Sequence, residues 1–280
     1  MSKPTVYQTQ QGTRYLKEPG VILWSRPQVN LSALEPFLED FGFQDYINDP
    51  AELPDGTQLC KTLGQLCYFS FGEKRTWNKD ADRYFDNVKM QAHGSIIEHA
   101  NYTFVFYGVS RSLTHELVRH RSGFAYSQVS QRYVSGKLLR FVERPEYQTN
   151  DDLHWMFERR IDDAAEDYNY IAHILIDLQK AGDNILSAEA KTDLRKKVNQ
   201  AARSLLPNET EAPIGVTGNV RAWRHFVEMR ASEHAEIEIR RLAMKVFYAL
   251  REAEPVLFSD YEVKTLSDGT EAVSTPYRKV

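Results

Sequence analysis

The sequence predicts a single α/β domain. Short β-rich segments alternate with long amphipathic ones, no repeat or low-complexity tract interrupts the chain, and no stretch reads as a linker. A chain of 280 residues with 42% hydrophobic and 12% aromatic content can bury a large core. Residues 1–20 are polar and are expected to form a loose N-terminal arm, which leaves residues 21–280 as the domain.

Residues 21–24, Val-Ile-Leu-Trp, read as a strand, and the LSALEPFLEDF pattern that follows reads as a helix. Pro50, Pro54 and Asp55-Gly56 mark a loop, and residues 57–69 and 80–92 have the spacing of two amphipathic helices. Residues 102–109 are β-rich with aromatics on both faces, which predicts a strand buried on both sides. A strand-like segment over 138–142 leads into helices over 152–182 and 187–206, the second stopping before Pro207. Residues 214–219 form a strand or turn that starts a helix over 220–231, and another helix follows over 233–253. Segments 261–265 and 271–275 flank Ser267-Asp268-Gly269, a hairpin signal.

No apolar run approaches the ~20 residues of a membrane span, and the N-terminus lacks the apolar core of a secretion signal, so a cytoplasmic protein without a membrane partner is expected. Cys60 and Cys67 are the only cysteines and support neither a disulfide framework nor a zinc site; they are expected to pack on one helix face. Neither is flanked by an activating His, so neither is an obvious nucleophile.

The formal net charge is −4, yet residues 111–140 gather six Lys or Arg against one acid, Glu116. Arg119-His120-Arg121 closes an apolar-patterned segment (Leu113, Leu117, Val118) that can be capped at Ser112 or Thr114. A Ser122-Gly123 turn follows, then Tyr126, Ser127, Gln128, Ser130, Gln131 and Arg132. Guanidinium groups bind phosphate through paired charge-assisted bonds, while Ser and Gln can read a sugar or base, so the stretch suits a phosphorylated small molecule. The same cations would also suit a helix end facing solvent. Net negative charge and the lack of an aromatic stacking motif argue against nucleic acid. The run from His115 to His120 looks like HExxH, but its histidines are five apart, about 140° round a helix, and no metal site is expected.

Arg119-His120-Arg121 followed by Ser130-Gln131-Arg132-Tyr133 resembles the signature of the flavin-dependent thymidylate synthases, RHR, seven residues, Ser. Here eight residues separate Arg121 from Ser130. Three further stretches resemble the same family. They are Ser70-Phe71-Gly72 with His93-Gly94-Ser95 and Glu98-His99; Lys196 with Ala202-Arg203-Ser204-Leu205-Leu206-Pro207; and Thr217-Gly218-Asn219-Val220-Arg221-Ala222-Trp223-Arg224-His225-Phe226 running on to His234-Ala235.

The resemblance implies a mixed β-sheet packed with long helices (α+β), as the single-domain subunit of a homotetramer with active sites at subunit interfaces. It implies methylation of dUMP to dTMP, with the one-carbon unit from methylenetetrahydrofolate and hydride from FAD reduced by NADPH. No G-x-G-x-x-G occurs in the chain, so the flavin would not lie in a Rossmann crevice. Carried over by position, Ser70, His93, Arg119, His120, Arg121, Lys196, Asn219, Arg221 and His234 would bind the flavin. Glu116, Arg119, Gln128, Ser130, Arg132, Arg203 and Arg230 would bind the nucleotide. Arg230 would be catalytic, stabilising negative charge on the uracil carbonyls. His225 stays outside this set, and Arg221, Arg224, His225 and Glu228 have spacings that could otherwise make surface pairs along a helix. The alternative from another class is a noncatalytic nucleotide-binding protein using the same arginines.

Overall fold

The computed structural model of the chain describes residues 3–133, 138–182, 191–278 and 280. In chain order the elements begin with β1 (Val6–Gln8), β2 (Arg14–Leu16), β3 (Gly20–Ser25), α1 (Glu35–Asp40), α2 (Asp55–Cys67) and α3 (Ala81–Met90). They continue with β4 (Asn101–Tyr107), α4 (Arg111–Leu117), β5 (Phe124–Gln128), β6 (Phe141–Val142), α5 (Asp151–Lys180) and α6 (Lys191–Ala202). Last come β7 (Ile214–Asn219), α7 (Val220–Arg230), α8 (Ile237–Ala253), β8 (Glu262–Thr265) and β9 (Glu271–Ser274). The elements gather into two compact units, each assembled from separate stretches of chain. The first holds Met1–Gly20, Phe106–Arg119 and Tyr126–Gly215; the second holds Val21–Val105, His120–Ala125 and Val216–Val280.

In the first unit the N-terminal segment is not loose. Strands β1 and β2 form an antiparallel hairpin in the register Val6 with Leu16, and β2 pairs in parallel with β6. The hairpin is held because Tyr15 enters a core of Phe141, Phe157, Ile161 and Ala164, which outweighs the polarity of its neighbours. Thr9 and Tyr15 also donate hydrogen bonds to Asp162 and Glu158 of α5. Helix α5 presents Phe157, Ile161, Ala164 and Tyr168 to the interior, a stripe at helical spacing. It starts where the Asn150 side chain accepts the Leu153 N–H at 3.0 Å. The strand expected over 138–142 shortens to Phe141–Val142.

The second unit contains the hairpin of β8 and β9, in the predicted place. Strands β3, β4, β7 and β5 lie in that order in a four-stranded sheet. Strand β4 corrects the expectation of equal burial on its two faces. Tyr102, Phe104 and Phe106 are fully buried while Thr103, Val105 and Tyr107 are half-buried, because side chains alternate along a strand and three of the four aromatics share one face. Thr103 joins Thr217 of β7 through their hydroxyls at 2.9 Å, and the Trp223 ring of α7 packs edge-on against Phe104 at 5.0 Å.

Three further corrections have local causes. Helix α8 begins at Ile237 because Glu236 caps it, its carboxylate accepting the N–H groups of Glu238 and Ile239. Cys60 is buried while Cys67, at the last turn of α2, is exposed, so the two do not share a packed face. Arg224 is buried, and pairs through both terminal nitrogens with Asp260 at 2.8 Å rather than with a surface acid. Burial pushes the Asp260 carboxyl up, but the hydrogen bonds and charge of Arg224 prevail and hold it at about 2.

Candidate active site

The expected site residues divide between the two units. Glu116, Arg119, Gln128, Ser130, Arg132, Lys196 and Arg203 belong to the first, and Ser70, His93, His120, Arg121, Asn219, Arg221, Arg230 and His234 to the second. Apart from Arg119, Lys196 and Arg230, this division follows the one drawn between nucleotide and flavin residues.

In the first unit, α4 is capped by Ser110, whose Oγ accepts the Leu113 N–H at 3.0 Å. The caps expected at Ser112 or Thr114 lie inside the helix, because Ser110 is the last extended residue before it. Glu116 is half-buried on this helix, and Arg119 is exposed beyond its end at Leu117. Gln128, on β5, donates to the Thr114 hydroxyl at 2.9 Å, which fixes its amide. Ser130 accepts the Arg132 N–H at 3.4 Å, and the Arg132 carbonyl accepts from Asn199 of α6 at 3.3 Å. The exposed Tyr133 ring gathers two cations, with Lys196 Nζ 5.1 Å and the Arg132 guanidinium 5.8 Å from its centroid. Lys196 and Arg132, expected at the flavin and at the nucleotide respectively, thus lie beside the same ring. Arg203 is half-buried, but it does not share a helix face with Lys196: α6 ends at Ala202 and tightens into a 3-10 turn over Arg203–Leu205. A cavity of about 330 Å³ in this unit, lined by Val129, Gln131, Leu139, Arg140 and Tyr168 among others, contains none of the expected residues.

In the second unit, Ser70 and His93 are delivered by the same device. Phe69 and Ala92 adopt left-handed conformations, φ 51° and 56°, just after α2 and α3. The next N–H then turns back to the helix, Ser70 to the Gln65 carbonyl at 2.9 Å and His93 to that of Val88 at 3.0 Å. Ser70 is half-buried and His93 exposed.

Helix α7 organises the rest. Asn219 accepts the Ala222 N–H at 2.9 Å, capping the helix. The Gly123 turn packs so closely here that a Cβ would come within 2.9 Å of Ala222 Cβ and 3.0 Å of the Asn219 amide nitrogen, and its φ of +75° is one that glycine adopts freely. Arg221 pairs with Glu98 at 2.6 Å. Ser122, Gly123, Asn219, Arg221, His225 and Glu98 line a cleft of about 380 Å³. One helix length on, Arg230 Nε donates to His120 Nε2 at 2.9 Å. Burial, then the charges of Arg230 and His225, lower the His120 pKa to about 4, so its imidazole is neutral at physiological pH. Arg121 is exposed in the turn before β5. His234 is also exposed, 3.5 Å from Glu233.

Sequence reasoning missed Glu98 as the counter-charge of Arg221 and Tyr133 as the ring between two cations, and it set His225 aside. The ring of His225 lies 5.7 Å from His120 and it lines the cleft. Its spacing of four from Arg221 was the available signal.

The donor set suits a flavin nucleotide: cations at Arg121 and Arg221 for phosphates, a glycine turn that admits a close approach, and amide and imidazole groups for a planar ring. Cys60 is no candidate nucleophile, since burial pushes its thiol up to about 12. Together these features define a nucleotide-handling protein with an arginine-based site.

Residues 51–256 match the family model described as "Thymidylate synthase complementing protein". The chain is 42% identical over 221 residues, 79% of its length and 86% of the relative's, to the flavin-dependent thymidylate synthase of Mycobacterium tuberculosis strain H37Rv. It is 39% identical over 250 residues, 89% of its length and 95% of the relative's, to that of Corynebacterium diphtheriae. In fold it is similar to a UMP/dUMP methylase, PolB, of Streptomyces cacaoi solved with 5-Br dUMP, with a TM-score of 0.54 at 18% identity, covering 87% of this chain and 94% of that one. The chain belongs to the flavin-dependent thymidylate synthase family.

Proposed function

We propose that the protein methylates dUMP to dTMP, using methylenetetrahydrofolate as one-carbon donor, FAD as cofactor and NADPH as reductant. The observation that carries this reading is the meeting of two distant motifs. Arg230 reaches His120 across 110 positions of sequence, and the Gly123 turn that follows the RHR triplet packs on the cap of α7.

Uracil carbon is a weak electrophile, and the buried Cys60 thiol cannot serve as the usual covalent activator. Arg230 would instead stabilise negative charge developing on the uracil carbonyls through preorganised N–H donors. Arg119, Arg132 and Arg203 would clamp the nucleotide phosphate, with Lys196 held against Tyr133 as a further cation. Gln128 and Ser130 would orient sugar and base, and Glu116 would form the wall. Ser130 is assigned binding alone, since no base residue in the motif is arranged to ionise its hydroxyl. The flavin, when bound, supplies hydride. Ser70, His93, His120, Arg121, Asn219, Arg221 and His234 would hold it, Arg119 reaching it as well.

The family reading also includes one functional domain over residues 21–280, a homotetramer with sites at subunit interfaces, and work in the cytoplasm. Among the described residues no helix is long and apolar enough to cross a membrane. The deciding experiment is a visible absorption spectrum of purified protein, followed by NADPH addition without and with dUMP. A flavin spectrum that bleaches faster with dUMP is expected. A colourless protein that cannot be reconstituted with FAD would overturn the reading.

A further inference from the structure

We propose that His120 is a positioning residue for Arg230: its unprotonated Nε2 accepts the Arg230 Nε–H and orients the guanidinium so that a nucleotide meets the Nη1/Nη2 edge. The inference rests on the role given to Arg230 above.

An arginine Nε–H can only donate, so a 2.9 Å contact with His120 Nε2 requires a lone pair there and puts the imidazole proton on Nδ1. The surroundings maintain that state. Phe226 of α7 packs near-perpendicular to the half-buried imidazole at 5.4 Å and Phe124 of β5 does so at 6.4 Å, giving it apolar neighbours. Arg230 and His225, both from α7, act on it, and both disfavour a second proton. Glu228, the acid nearest in sequence on α7, is directed to His225 at 3.9 Å and to Arg278 at 3.9 Å. Arg121, on the His120 segment itself, is exposed.

Arginine has a long flexible stem, and its recognition power lies in a planar fork that can be met from its end or its side. Engaging Nε removes the side approach. Preorganised donors matter most where charge develops, and a small misplacement of such a group lowers turnover more than binding. The same contact commits the Nε2 edge of His120 to Arg230 rather than to a ligand.

The test compares His120→Phe, which keeps a ring and removes the acceptor, with His120→Gln, which restores one. In His120→Phe, turnover at saturating dUMP, expressed per bound flavin, should fall about 10- to 100-fold with a smaller change in KM for dUMP. His120→Gln should recover most of the turnover. Independently, 15N spectra of histidine-labelled protein without dUMP should show His120 Nε2 unprotonated from pH 5 to 8 and shifted by Arg230→Lys. Wild-type turnover in His120→Phe, no recovery in His120→Gln, or an Nε2 signal that is protonated or blind to Arg230→Lys would overturn the proposal. A wild-type protein that does not methylate dUMP would remove the parent reading and this role with it, while the 15N result would still report whether the contact exists.

Discussion

Arg230 and Arg224 lie six residues apart on one helix and do different work. Arg230 is half-buried against a neutral imidazole, whereas Arg224 is buried and neutralised by Asp260. Replacing Arg230 with Leu should lower turnover by about 10² to 10³ while flavin retention changes far less, read by steady-state kinetics and the flavin-to-protein absorbance ratio. Equal loss of both would argue against an electrostatic role at the pyrimidine. Asp260→Ala should leave the Arg224 guanidinium buried without its counter-charge and cost about 3–5 kcal/mol in urea denaturation. A cost below about 1 kcal/mol would show that the remaining carbonyl acceptors suffice, since Arg224 also donates to Leu257 and Val280.

Helix ends set the geometry of several expected site residues. Ser70 and His93 both follow a left-handed residue bearing a side chain, and the Phe69 ring repays the strain by packing on Phe41 at 4.7 Å. Ala92, at φ 56°, has only a methyl group to pack, so Ala92→Gly should raise stability by about 1 kcal/mol in thermal or urea unfolding. A destabilised Ala92→Gly protein would mean that chain entropy outweighs the relieved strain. Asn219 is a helix cap as well as an expected flavin contact, and Asp caps equally well. Asn219→Asp should therefore leave the unfolding midpoint nearly unchanged while weakening FAD binding in a fluorescence titration, because it adds negative charge beside the cleft. Unaltered affinity would remove Asn219 from the flavin set.

Over the whole molecule, acid stability should fall in two steps. His120 has a folded pKa depressed to about 4 from 6.5, so the unfolded chain takes up the proton first and stability is lost as pH falls from about 6.5 to 4. Asp260, depressed to about 2, contributes stability that is present above its unfolded value of 3.8 and is lost as pH falls through about 2. Urea unfolding from pH 7 to 2 should show the first step in wild type and not in His120→Gln. An identical profile in both would place the first step on another group.

The sequence by itself determined the family, through four ordered motifs, and most of the regular elements, because apolar spacing and turn residues act over a few neighbours. It could not decide how residues far apart would pair. Polar residues 1–20 read as a loose arm, yet burial of Tyr15 against Phe157 and Ile161 ties them into a hairpin, an energy that exists only once α5 is in place. Arg224 has a spacing that could have made a surface pair, yet it is buried and Asp260 reaches it from elsewhere in the chain, while His225 keeps such a pair, exposed and 3.9 Å from Glu228. The tertiary structure alone made His120 neutral, since burial and the neighbouring charges of α7 depress its pKa, and a tripeptide motif cannot encode its surroundings.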